Sequence, residues 1–362
     1  MKYRKDRSFF FFFILVILFS FFSIGCMDKE EERAVSEKAQ TPIKNQNLQE
    51  AAVYPSEQEL AEWQANETGR VMILMYHVIG SSKESTWAQT TANFRRDLEM
   101  LYEQGYSLLS LKKFLDNNID TPAGRTPVIL TFDDSYSGHF RYLVEQDGTK
   151  KIDPECAVGV LLDFGKQQPL FGHTATFFVN NNPPFGQKEF WQEKLQELES
   201  LDFEIGNHTL THPKLTKLNS VEVQKELAGL ARLVEETVPG YKVDTLALPY
   251  GISPQNYDLA VAGVYEGFTY QHRAVLKVGA NPALSPAVKG FDPLHLPRVR
   301  ASSLELAFWL NYFQNNPDQK YISDGNPQTI AIPCEREELL DKSKLQDKKI
   351  LTWSKDLSQL ND

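Results

Sequence analysis

The sequence predicts an α/β fold whose sheet is mostly parallel, either a barrel or a doubly wound sheet. Short apolar runs alternate with helically spaced segments from residue 70 to residue 302, and such alternation builds parallel strands joined by crossover helices. Carboxylate and imidazole residues follow directly on several of these runs, at strand C-terminal ends, where barrel enzymes place their active sites. The chain has 362 residues, 41% hydrophobic and 24% charged, which is ordinary globular composition and enough for one large domain or two small ones.

The elements follow in order. Val71–Met75 is an apolar run and a buried strand. Thr91 can cap a helix in which Phe94, Leu98 and Leu101 share a face. A short strand at Tyr106–Leu109 and a short helix at Leu111–Asn118 precede a strand at Val128–Phe132. Residues 145–172 interrupt the alternation with Gly148, Pro154, Gly159, Gly165 and Pro169, and are expected to be an inserted excursion. Ala175–Val179 is rich in strand formers. A helix at Lys188–Leu198, a brief strand at Phe203–Ile205 and a long helix from Ser220 to about Val238 come next. A strand at Thr245–Leu248, a helix at Pro254–Val264 and a strand at Gly267–Tyr270 complete the series. Residues 303–362 hold one helix, Leu304–Phe313, then turn-rich and charged sequence, and are expected to form a helical and irregular C-terminal extension packed on the barrel.

The N-terminus has a different logic. Lys2, Arg4, Lys5 and Arg7 precede an apolar run from Phe9 to Phe22, shorter than the roughly 20 residues of a membrane span. Ser23-Ile24-Gly25-Cys26 follows, so residues 1–25 are expected to be a secretory signal. The Gly-Cys step resembles a bacterial lipobox, although Ser23 stands where leucine is usual; Cys26 would then carry lipid and anchor the chain to the membrane, outside the cell. Residues 26–69 are polar and charge-rich and are expected to be a disordered tether. Of the remaining cysteines, Cys156 and Cys334 could pair in an oxidising compartment. The net charge of −10 argues against nucleic acid as a partner.

Two stretches carry the chemistry. Asp133 and Asp134 end the Val128–Phe132 run, and His208 and His212 stand four residues apart after Phe203–Ile205. One Asp with two His is a usual ligand set for a catalytic divalent metal, and a spare carboxylate beside it can serve as general base. Successive strand residues face opposite ways, so the strand must end near Asp133 with Asp134 turning into the loop. Pro213 disfavours helical geometry at His212. Leu248-Pro249-Tyr250-Gly251 ends another strand in a tight turn that can aim the Tyr250 N–H at a developing oxyanion. His77 ends the first strand and can protonate a leaving nitrogen.

From about 70 to 300 the chain resembles the polysaccharide deacetylase family, the NodB-homology domain of carbohydrate esterase family 4. The resemblance rests on Thr-Phe-Asp-Asp at 131–134, His-Thr-Leu-Thr-His at 208–212, Leu-Pro-Tyr-Gly at 248–251 and Ala-Thr-Phe-Phe-Val at 175–179. Met75-Tyr76-His77 and Leu296-Pro297-Arg298-Val299 look most like the circularly permuted, extracellular poly-N-acetylglucosamine deacetylase branch. The resemblance implies a distorted (β/α)7–8 barrel over residues 70–302. It implies Asp134, His208 and His212 as ligands of a divalent metal, most often zinc, and Asp133 as the base activating water. It implies Pro249 and Tyr250 at the oxyanion position and His77 as general acid, with His295 as the competitor that other branches suggest. The substrate implied is an N-acetylated polysaccharide.

There are departures. Ser135 replaces the family's usual glycine, and Ala247 stands where many members have an arginine that orients the base. Trp87 and Tyr136 are candidates to line a sugar cleft; His139, His173 and His272 are expected to be structural. The rivals are a peptidoglycan or xylan-type deacetylase and, from another class, a non-catalytic glycan-binding envelope lipoprotein. A glycoside hydrolase fits poorly, since its two carboxylates straddle a sugar at roughly 5–9 Å and Asp133 and Asp134 are adjacent.

Overall fold

The computed structural model describes residues 54–181 and 183–358. The expected signal segment, Cys26 and most of the expected tether lie outside these residues. Among the described residues no helix is long and apolar enough to cross a membrane.

One curled, mostly parallel sheet organises the chain. Its strands run in the spatial order Ala274–Leu276, Thr245–Ala247, Glu204–Asn207, Thr176–Val179, Thr126–Asp133 and Arg70–Tyr76. Tyr106–Leu108 pairs with the start of Thr126–Asp133, and Ala283–Leu284 lies antiparallel against the start of Arg70–Tyr76. The Leu296–Arg300 segment reaches both edges: Leu296 bridges Leu276, and Val299 and Arg300 pair with Leu74 and Met75. The result is a distorted barrel.

Residue alternation separates its two layers. Along the first strand Val71 and Ile73 join an inner cluster with Ile129, Phe178, Ala247, Leu276 and Leu296, while Met72, Leu74 and Tyr76 pack outward. Outward residues lie beneath the helices, with Phe94, Leu98, Leu227 and Leu230 in the same cluster. Both faces are buried, which is why these strands read as unbroken apolar runs.

Several elements differ from expectation. Residues 145–172 are only in part an excursion. Tyr142–Val144 and Lys150–Ile152 form a hairpin, but Ala157–Gln167 is a helix lying between the sheet strands Thr126–Asp133 and Thr176–Val179. Its glycines mark close packing: a Cβ on Gly159 would stand 2.2 Å from the Asp153 carbonyl oxygen, and one on Gly165 would stand 2.8 Å from that of Gly172. The helix expected over Pro254–Val264 is confined to Asp258–Val261. Ala262–Tyr265 instead pairs antiparallel with Phe268–Gln271 outside the main sheet, across a turn at Glu266 and Gly267, both at positive φ. The sheet strand in that region is Ala274–Leu276, too short to show periodicity.

Residues 54–69, expected to belong to the tether, are structured. Ser56 and Glu59 make a capping box at the start of the Glu57–Trp63 helix, which accounts for one orphan donor at each site. Leu60, Ala61 and Ala65 pack on Ala331 and Trp353, and the Trp353 indole donates to the Ala65 carbonyl at 2.7 Å. Thr329–Pro333 and Lys349–Trp353 form the parallel pair that carries these partners, so the C-terminal extension contains a small sheet besides its Ser303–Asn315 helix. Cys156 is buried, Cys334 is exposed, and both thiols are free.

Candidate metal centre and active site

Asp133 is the last residue of its strand and keeps strand parity with Ile129 and Thr131, so its side chain points into the barrel. Asp134 then adopts φ +73° and Ser135 φ +48°. This left-handed step lets two adjacent carboxylates serve one cleft. It is uncommon for residues with a Cβ, and hydrogen bonds hold it. The Ser135 hydroxyl stands 3.3 Å from both the carbonyl oxygen and the amide nitrogen of Asn180, and the Ser135 carbonyl accepts from Phe185 N–H at 2.7 Å.

The histidine loop is held in the same way. Asn207 Oδ1 accepts from Thr209 N–H at 2.8 Å, the Asn207 amide donates to the Leu227 carbonyl, and Thr209 Oγ1 accepts from His212 N–H. Glu226 takes both the backbone N–H and the hydroxyl of Thr211. Thr209 and His212 lie at φ +64° and +57°, in accord with the bar that Pro213 sets against helical geometry.

These two loops bring three side chains together. Asp134 Oδ1 stands 3.4 Å from His208 Nε2 and 3.2 Å from His212 Nε2, and the three ligand atoms lie within 4.8 Å of one another. His208 donates from Nδ1 to the Ala247 carbonyl at 2.8 Å, which leaves Nε2 as the free donor atom and fixes the ring, as outer partners of metal-binding histidines do. Asp133 Oδ2 is 4.0 Å from His208 Nε2. The residues fit a divalent cation: one carboxylate and two imidazoles converge at the floor of an open cleft.

Electrostatics point the same way. Burial is the largest single influence on Asp133 and opposes its ionisation, but Arg298, His208 and His77 outweigh it and hold the carboxyl well below the usual range. Asp134 is also lowered, its burial overcome chiefly by His208. Burial disfavours charge on His208, yet Asp133 and Asp134 raise its pKa. Burial lowers His77 and His212, the latter also through His208.

The cleft above the cluster measures about 810 Å³ and is lined by His77, Asp133, Asp134, His208, His212 and Tyr250, with Trp87 and Tyr136 on its walls. Trp87, Tyr136 and Tyr250 are 43%, 41% and 53% exposed, enough to offer aromatic surface to a ligand. The His77 ring packs edge-on against Trp87, and His212 against Tyr250. Pro249 is buried beneath its turn; lacking an N–H, it sets the turn and cannot donate to an oxyanion. Tyr250 takes φ +58° in that turn. His295 does not line this cleft. It sits on the Pro293–His295 turn, pairs with exposed Asp292 at 2.7 Å and stacks on Tyr257. It borders a different pocket beside Arg70, at the start of the strand whose far end leads to His77.

Sequence reasoning missed Arg298 as a site residue. Fully buried, it donates from Nη1 and Nη2 to the two oxygens of Asp133, both at 2.7 Å, and from Nε to the Lys277 carbonyl. The signal was an arginine among apolar residues in the closing segment, since a buried guanidinium needs a buried acid. Position 247, where an arginine is common in the resembled family, contributes its backbone carbonyl to His208 instead.

The family model for polysaccharide deacetylase matches residues 120–265. The chain carries a polysaccharide deacetylase domain. A chitooligosaccharide deacetylase from Bradyrhizobium sp. (strain ANU 289) is 30% identical to it over 134 residues, 37% of this chain and 55% of that protein. The matched part is thus about half of that relative. Among solved structures, the Streptococcus pyogenes deacetylase PplD in complex with acetate is 17% identical with a TM-score of 0.49, covering 67% of this chain and 97% of its own. IcaB from Ammonifex degensii is 16% identical with a TM-score of 0.48, covering 69% and 99%. The matched span of the deacetylase domain includes Asp133, Asp134, His208, His212 and Tyr250; His77 and Arg298 lie on either side of it.

Proposed function

We propose that the protein is a metal-dependent N-deacetylase that hydrolyses acetamido groups of an N-acetylated glycan, with zinc as the metal. The single observation that carries this reading is the meeting of Asp134, His208 and His212 around one point, with Asp133 alongside and His77 on the same cleft. Asp134, His208 and His212 would hold the cation. When bound there, a divalent ion polarises the acetyl carbonyl and makes water acidic enough to attack near neutral pH.

The protein's own groups supply the rest. Asp133, kept ionised by Arg298, accepts the proton of the attacking water. Arg298 takes both carboxylate oxygens and so fixes the plane of the base. The Tyr250 N–H, on its left-handed turn, donates to the oxyanion. His77 delivers a proton to the departing nitrogen. Trp87, Tyr136 and Tyr250 give stacking surface for sugar rings, and the open cleft suits residues within a polymer.

The finer reading is an exopolysaccharide or cell-wall glycan rich in N-acetylglucosamine, acted on outside the cell by a protein anchored through lipidated Cys26. Acetate release from N-acetylglucosamine oligomers, peptidoglycan and acetylated xylan, with and without chelator, tests it. Chelator-sensitive release from the first is expected. No acetate from any metal-loaded reaction would sink the enzymatic reading. Detergent-phase partitioning that is the same in Cys26→Ser as in the unaltered protein would sink the anchor.

A further inference from the structure

The acid arm and the metal arm of the cleft arise from different strands. His77 follows Arg70–Tyr76, whereas Asp133 and Asp134 end Thr126–Asp133. These strands pair directly as far as Tyr76 and Phe132, and beyond that pairing two further contacts join the arms, neither of them from a ligand or from the base. A Cβ on Gly138 would stand 1.9 Å from the Ile79 carbonyl oxygen, so the 137–139 backbone lies directly on the segment that leaves His77. The second contact is His139, whose Nε2 hydrogen-bonds the His77 carbonyl. A carbonyl only accepts, so Nε2 carries the proton and Nδ1 is bare. His139 is fully buried and its Nδ1 has no hydrogen-bond partner among the described residues. Burial lowers its pKa to about 4, so it stays a neutral, one-proton donor.

We infer that His139 is a positioning residue for the reaction: its N–H to the His77 carbonyl sets the place of the His77 side chain relative to Asp133 and Asp134. This rests on the reading of His77 as general acid. A purely packing role would need only the ring, which sits among Phe132, Tyr136 and Phe177. The hydrogen bond adds direction. The His139 backbone is fixed from behind, with its N–H on the Tyr136 carbonyl at 2.9 Å and its carbonyl accepting from Val158 N–H at 3.0 Å. The side chain therefore transmits a rigid frame to His77, whose own Nδ1 is buried and likewise has no hydrogen-bond partner among the described residues. The His77 ring packs against the edge of Trp87. Displacing a reacting group by about 1 Å can cost on the order of 100-fold in rate.

Two variants of the full chain, metal-loaded, separate direction from packing. H139F keeps a ring in the aromatic cluster and removes the donor; H139Q restores an amide N–H. With an N-acetylglucosamine oligomer as substrate, H139F is expected to lower kcat about tenfold or more, with KM within about twofold. The limb of the pH profile where His77 loses its proton should move to higher pH as the loosened ring gains solvent. H139Q should recover most of kcat and the original profile. The inference is overturned if H139F matches the parent in kcat and pH profile, or if both variants, folded by thermal melt, are equally impaired. If the parent releases no acetate, or H77A is as active as the parent, it is the underlying assignment of His77 that fails.

Discussion

Arg298 holds Asp133 by both oxygens, two parallel hydrogen bonds of 2.7 Å between side chains 165 residues apart and almost wholly buried. The pair joins the closing segment of the barrel to the strand that ends in the metal site, and so couples the fold's closure to the orientation of the proposed base. Removing the guanidinium leaves a carboxylate in the interior with its largest stabilising partner gone. Arg298→Met should destabilise the protein by about 3–5 kcal/mol, read by denaturant unfolding. Arg298→Lys keeps the charge but not the fork, and should fold while losing roughly 10–100-fold in kcat. With Arg298 weakened, burial raises the Asp133 pKa. The acid limb of the pH–rate profile should therefore move to higher pH, because the base must be ionised to act.

Asp133 and Asp134 are neighbours with separate proposed duties, and substitution should split them. Asp134→Ala, His208→Ala and His212→Ala each remove a donor from the cluster and should lose both bound metal and acetate release. Asp133→Asn removes no ligand and should retain near-stoichiometric metal while turnover falls by on the order of 100-fold or more. Metal analysis beside acetate release reads both. An Asp133→Asn protein that loses its metal would reverse the two roles.

Much of this arrangement is legible in the sequence, because the residues that make it sit at strand ends and strands buried on both faces leave apolar runs. One aspartate of the Asp133-Asp134 pair with His208 and His212 could be read from spacing as a ligand set; that Asp134 is the ligand and Asp133 the base comes from the resemblance. Arg298 could be suspected from its apolar neighbours, but its partner lies far away in sequence and could not be named. The left-handed steps at Asp134 and Thr209 were hidden: the long-range contacts of Asn180 with Ser135 and of Glu226 with Thr211 help hold these loops where local preference would not put them. The crossover helix Ala157–Gln167 was misread because glycine signals a turn in isolation, whereas Gly159 and Gly165 are there to let backbone approach backbone. His139, taken from sequence as structural, has no visible partner until the fold places it on the His77 carbonyl.

Asp97 offers a test by pH. It lies buried behind the cleft, accepts from the Tyr76 hydroxyl at 3.2 Å and interacts with Gln89. Burial raises its pKa to about 6 from 3.8. A folded-state value above the unfolded one means the native protein binds this proton more tightly. The stability it confers is full below pH 3.8 and is lost as pH rises through about 6. Asn presents the neutral shape at every pH. Asp97→Asn should therefore be more stable at pH 7–8 by about 1–3 kcal/mol, a Tm rise of a few degrees, and the two proteins should converge near pH 4. Parallel stability curves across that range would show that Asp97 does not carry the proton.

Ser135 stands where the resembled family has glycine, a departure that would favour a non-catalytic binding protein if it disabled the site. The geometry argues otherwise. Ser135 adopts φ +48°, so the turn that glycine would make is already made, and the hydroxyl spans the gap to Asn180. Two terms oppose each other in Ser135→Gly. Relief of the left-handed strain favours the variant by about 1 kcal/mol, while loss of the buried hydroxyl contacts and the added freedom of the unfolded chain cost about the same. The variant should keep its Tm within a few degrees and its kcat within about threefold. If serine had disabled the site, glycine would instead raise activity by an order of magnitude or more, and kinetics on an N-acetylglucosamine oligomer distinguish the two.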